Sequence, residues 1–110
     1  MIVSIPMLYS KGGYVYILTN KNHSVLYIGV TSDLRHRLWQ HKTKFYPKSF
    51  SAKYNVNRVV FYKYFNEIMD AIRYEKYLKG KSRGYKETLI VEMNPSWNDL
   101  TALVNEFEIL

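Results

Sequence analysis

The chain has 110 residues, 47% of them apolar and 23% charged, with a formal net charge of +7. That size supports one core with little idle buried polarity, and the positive surplus favours polyanions, nucleic acid first and an acidic membrane surface second. There is no cysteine, which excludes disulfides, thiolate metal sites and cysteine nucleophiles and suits a reducing, cytoplasmic setting.

No apolar run approaches the roughly 20 residues of a membrane span. The opening MIVSIPMLYSKGG lacks the basic start and cleavage site of a signal peptide, so no membrane partner is expected.

In chain order, residues 1–11 read as a lead-in. Tyr14 to Leu18 and Val25 to Val30 are rich in β-formers, and the polar TNKNHS between them predicts a β-hairpin. Thr31, Ser32 or Asp33 offers an N-cap for a helix from about Asp33 to Lys42. KFYPKSFSAKYNVN, polar and aromatic with a proline, reads as a loop, and RVVFYKYF (58–65) as a third strand. Asn66 is expected to cap a second helix that runs to about Leu78 and stops near Gly80. SRGYKETLIVEM predicts another helix, NPSW breaks it, and NDLTALVNEF suits a short closing helix. The order ββαβααα implies an α/β fold, a small three-stranded sheet covered by helices. One domain is expected over 1–110, its core at about 13–92 and a C-terminal extension at 93–110.

Several residues stand out against this frame. A hairpin turn centred between Lys21 and Asn22 sets Tyr16 directly across from Tyr27, with both phenols on one side of the sheet. Paired aromatics also stabilise sheets, so this feature has a packing reading beside a functional one. Gly29 would leave a bare patch beside the Tyr27 hydroxyl, open to a backbone or ligand.

On the first helix Leu34, Arg37, Leu38 and His41 follow i, i+3, i+4, i+7 spacing, so Arg37 and His41 share or border the inward stripe. An inward guanidinium needs an anion, a protein carboxylate or a ligand phosphate, unless it snorkels to water. On the second helix Ile68, Ala71, Ile72, Glu75 and Lys79 trace one face. Glu75 thus occupies an apolar position, where a carboxylate must pair, for instance with Arg37, or hold a divalent cation. Phosphodiester hydrolysis uses such parts: a metal that neutralises phosphate, an arginine that clamps developing charge, and a phenol or imidazole that takes a proton from water. A phenol with a pKa of about 10 would need a neighbouring cation for that task.

With YVY at 14–16, YIG at 27–29, Arg37 ten residues past Tyr27, and Glu75 downstream, the chain resembles the GIY-YIG endonuclease domain over about 13–92. It is most similar to the small single-domain members, and AIRYEKYLKGKSRGYKETLI resembles their second-half signature. The first signature's glycine is replaced by Tyr14, after Gly12 and Gly13.

The resemblance implies an antiparallel three-stranded sheet and DNA hydrolysis with one divalent metal, Mg²⁺ or Mn²⁺, with structure-selective action in repair or processing as one setting. By position, Glu75 would be the metal ligand and Arg37 the phosphate clamp. Tyr16 would be the general base or water-orienting group, favoured over Tyr27 and His41 for the base. Tyr27 would stand beside it in the hydrogen-bond network, and His41, at a position where many members place a histidine, would assist; Gly29 would permit close packing. Asn94 is a weak candidate for a polar residue that some members carry after the glutamate.

Lys42, Lys44, Lys48 and Lys53, and later Lys76, Lys79, Lys81 and Arg83, would track a DNA backbone, with Phe45, Tyr46, Phe50 and Tyr54 stacking on bases. Competing readings are a non-catalytic nucleic-acid-binding module that keeps the fold and an adaptor for an acidic protein.

Overall fold

The structure, a computed structural model, describes residues 12–107. The lead-in at 1–11 lies outside the described residues. β1 (Gly13–Thr19), β2 (Leu26–Thr31) and β3 (Arg58–Phe65) form one antiparallel sheet in the order β2-β1-β3. Helices α1 (Leu34–Lys42), α2 (Phe50–Lys53), α3 (Ile68–Lys79), α4 (Arg83–Met93) and α5 (Thr101–Val104) complete the chain.

β1 is the central strand, and its run of β-branched and aromatic residues is buried from Val15 to Thr19. A continuous apolar run is what a strand covered on both faces requires. Val15 and Ile17 point to one side, where they pack with Ile28, Val60 and Phe61 under Ala71 and Leu78 of α3 and Ile90 of α4. Tyr16 and Leu18 point to the other, where they meet Leu34 and Leu38 of α1, Val104 of α5, Val59 of β3 and Val56 just before it.

The hairpin pairs differently from the expectation. Tyr16 lies opposite Gly29, and Tyr27 opposite Leu18. The cause is the loop: Asn20 Oδ1 accepts from the backbone N–H groups of Ser24 (2.9 Å) and Val25 (3.1 Å), and His23 takes a left-handed φ of 60°. This cage lengthens the connection and starts β2 at Leu26. The slip is by two residues, so it preserves facing: Tyr16 and Tyr27 remain on one side of the sheet as diagonal neighbours, their ring centroids 6.5 Å apart.

Asp33 is the cap of α1, its Oδ1 accepting from the His36 N–H at 3.1 Å. Two expectations fail. Asn66 does not cap α3, which starts after Glu67 with no side-chain cap. The stretch read wholly as a loop contains α2, capped by Ser49, whose Oγ accepts from Ala52 N–H at 3.2 Å. One turn is too short to show helical periodicity, but it carries two buried residues, Ser51 and Ala52.

Candidate active site

The site grows from the side of the sheet that faces α1. Tyr16 is 1% exposed. Its hydroxyl lies 3.0 Å from His41 Nε2 and accepts from Arg37 Nε at 3.4 Å. The helix supplies both partners because Arg37 and His41 are one turn apart and flank the buried Leu34–Leu38 stripe. His41 is itself buried, and its Nδ1 lies 2.7 Å from Ser51 Oγ on α2. The half-buried Tyr27 ring borders the group, 5.7 Å from the His41 ring, and stacks on Phe50 at 6.0 Å.

Gly29 is not an open patch. A Cβ there would lie 2.4 Å from Tyr16 Cζ and Oη. The space beside β2 is filled by the Tyr16 ring, so the glycine admits a phenol of the chain itself.

Burial sets the protonation states. It pushes the Tyr16 phenol up to about 12, against the lowering effect of the Arg37 hydrogen bond, with Tyr27 and the negative charge of Glu75 adding to the rise. Burial, assisted by the Arg37 charge, pushes His41 down to about 4. At neutral pH both groups are therefore uncharged. For Arg37, burial opposes the charged form, but Tyr16 and Tyr27 outweigh it and hold the pKa above its usual value.

Glu75 stands on α3, on the opposite side of the sheet, and its side chain is 13% exposed. It pairs with Lys79 at 2.9 Å, one helical turn on, rather than with Arg37. Arg37 instead donates to Gln40 Oε1 at 2.9 Å and lies 5.8 Å over the Tyr46 ring. The two layers meet beyond the edge strand β2. There a hollow of about 380 Å³ is lined by Tyr27 and Phe50 from one side and by Lys79 and Lys86 of α3 and α4 from the other.

No three His, Asp or Glu side chains cluster as a ready-made cation site among the described residues. A single carboxylate such as Glu75 fits a hard divalent ion that completes its shell with waters and phosphate oxygens.

The remaining expected contacts divide. Lys44, Lys48, Lys53 and Lys76 are exposed, and the exposed Tyr54 ring lies 4.7 Å from that of Phe50. Lys42 is tied to Asp99. Lys81 sits over the rings of Tyr77 and Tyr85 at 4.6 and 5.4 Å. Arg83 donates to the carbonyls of His23 and Ser24 and to Glu87, bracing the hairpin loop. Asn94 is a backbone clip: its Nδ2 donates to Val60 O and Asn98 O, and its Oδ1 accepts from Asn98 N–H. The residues that sequence reasoning missed are Gln40 and Ser51. Only the Ser49 cap, three residues before Ala52, pointed toward the latter.

The described helices include none long and apolar enough to cross a membrane. Against known proteins, a search of curated sequences finds no match. The solution NMR structure of a UPF0213 protein from Bacillus halodurans is similar, with 29% identity, a TM-score of 0.51, and coverage of 84% of this chain and 96% of the other. The model of the GIY-YIG catalytic domain matches residues 12–89. With most of its length inside that match, the chain belongs to the GIY-YIG family of nuclease-type catalytic domains.

Proposed function

We propose that this protein is a divalent-metal-dependent endonuclease that hydrolyses DNA phosphodiester bonds, with structure-selective action in DNA repair or processing in a reducing, cytoplasmic setting. One observation carries the reading. The half-buried guanidinium of Arg37 has side-chain neighbours Tyr16, Tyr27, Gln40 and the Tyr46 ring and no carboxylate partner among the described residues. A cation held this way favours an anion from outside, and a planar fork suits a phosphate.

In this reading Arg37 clamps the scissile phosphate as charge develops on it. Tyr16 and His41, both neutral at working pH, handle the proton of the attacking water, and Tyr27 borders them at the open side. Glu75 would hold the divalent ion, which when bound neutralises phosphate charge and stabilises the leaving oxygen. Lys79, already on Glu75, neutralises that carboxylate until a metal replaces it. Lys44 and Lys53 follow the phosphate backbone beside Phe50 and Tyr54, and Lys81 and Lys42 add positive potential while bound to their own partners. Binding of this kind is salt-sensitive and largely independent of sequence.

The test is incubation with supercoiled, single-stranded and branched DNA in Mg²⁺, in Mn²⁺ and in chelator. Cutting by the wild type that requires metal, with Arg37→Ala and Glu75→Ala binding but not cutting, supports the enzyme. Equal weak cutting by all three proteins marks a contaminant. Binding without cutting identifies a nucleic-acid-binding module, and no binding at low salt identifies an adaptor.

A further inference from the structure

The buried polar chain behind Tyr16 has only one arrangement of hydrogens that leaves none stranded. Arg37 Nε–H can only donate, so Tyr16 Oη accepts from it. The other recorded partner of that hydroxyl is His41 Nε2. If Nε2 carried a hydrogen, Tyr16 would receive two donors and, in the resting site where it is 1% exposed, its own O–H would have no acceptor from the chain, a costly state. With Nε2 bare, Tyr16 donates to it, and the neutral imidazole then carries its hydrogen on Nδ1, which donates to Ser51 Oγ at 2.7 Å. Ser51 passes its own hydrogen to Ser49 Oγ at 3.3 Å, and that oxygen also accepts from Ala52 N–H. Each buried polar side-chain atom among the described residues has a hydrogen-bond partner, and in this arrangement the run ends at the partly exposed Ser49 hydroxyl, whose own hydrogen can go to solvent.

The geometry points to Ser51 as a positioning residue that holds His41 in its Nδ1–H form, so that Nε2 takes the Tyr16 hydrogen and the phenol keeps a lone pair for the proton of water. The inference rests on the nuclease reading only for the reaction it serves. In that reaction a water proton moves to Tyr16 Oη as the phenol's own proton moves to His41 Nε2. The water oxygen bonds to phosphorus, the bond from phosphorus to the leaving oxygen breaks, and that oxygen takes a proton from bulk water. The imidazolium later returns its proton to solvent. Tyr16 never has to exist as a free phenolate, which answers the difficulty of using a buried phenol as a base. Burial is the larger cause of His41's weakness as an acceptor and the Arg37 charge the smaller; a phosphate on Arg37 would offset the smaller one.

The ring nitrogens of His41 report the arrangement directly. In the full chain labelled with ¹⁵N-histidine, with His41 assigned by the signals lost in His41→Gln, Nδ1 is expected to be protonated and Nε2 bare near neutral pH. Ser51→Ala, its fold checked by backbone amide spectrum, is expected to shift His41 toward the Nε2–H form. It should also lower kcat by about tenfold or more with KM little changed. Ser51→Thr keeps a hydroxyl and is expected to restore both.

A wild-type His41 protonated on Nε2 overturns the proposal whatever the activity. So does a folded Ser51→Ala with the wild-type tautomer and kcat. Should that variant not fold, the wild type and Ser51→Thr decide the matter. A wild type with the Nδ1–H form that cuts no DNA supports the positioning and removes the nuclease reading alone.

Discussion

The two sides of the sheet are built on opposite terms. Under α3 and α4, Val15, Ile17, Ile28, Val60, Leu78 and Ile90 close an interior with no ionisable group among its buried members. Under α1 and α2, the same strand contributes Tyr16 to a buried run with His41 and Ser51 that opens at Arg37. One residue's step along β1 separates the two. Packing of the first kind depends on volume and tolerates conservative exchange. The second depends on each hydrogen having an acceptor, so a single missing atom disturbs the whole run. Glu75 crosses this division: it is anchored in the apolar layer, yet its charge is felt by Tyr16.

That contrast can be broken from either side. Arg37→Ala and Glu75→Ala are expected to reduce DNA cleavage by about 100-fold or more while DNA binding, measured at low salt, and thermal stability change little. A loss of fold in both would make them structural members of the core instead. Ile17→Ala, on the apolar side, is expected to cost about 2–5 kcal/mol in urea unfolding and to leave kcat at 20 °C unchanged. A matching loss of kcat would mean that the layers are not separable.

Acid separates the sides again. His41 is held near 4 in the folded chain, against about 6.5 when unfolded. Between those values the unfolded chain binds the extra proton, so stability falls as pH drops from about 6.5 to 4 and is fully present above. The loss is on the order of a few kcal/mol, about 3 at most, since part of the shift is screened by solvent. His41→Gln is expected to flatten that part of the profile, whereas Ile17→Ala lowers the curve without changing its shape.

Gly29→Ala tests the contact between the edge strand β2 and the Tyr16 phenol. Its methyl group would enter the Tyr16 ring, so a cost of about 1–3 kcal/mol and a reduced kcat are expected together. Full activity in that variant would show that Tyr16 has room to move. The smallest effect should come from Lys42→Ala. Its pairing with Asp99, at a partly exposed position joining α1 to the segment before α5, is worth about 0.2–1 kcal/mol. Its loss should weaken DNA binding only slightly, because the ammonium already has a partner.

Much of this was legible in the residues themselves. β-formers marked the three strands, and helical spacing marked the inward edge of α1. The separation of Tyr16, Tyr27, Arg37 and Glu75 carried the family resemblance. These are local patterns, in which side-chain alternation and the 3.6-residue turn link sequence to facing directly. A two-residue error in the hairpin register did no harm to the facing of the two tyrosines, since side chains repeat every two residues along a strand.

What no local pattern contained was the choice of partners. Glu75 found Lys79 on its own helix, Arg37 found Tyr16, Gln40 and a tyrosine ring, and Lys42 and Arg83 were drawn into holding the fold together. Ser51 reached His41 because a single capped turn brought a polar loop against the end of α1. Spacing along a chain fixes the direction in which a side chain points. Which acceptor lies there, and how dry the space around it is, depends on segments far apart in sequence, and those two quantities set both the hydrogen-bond order and the protonation of Tyr16 and His41.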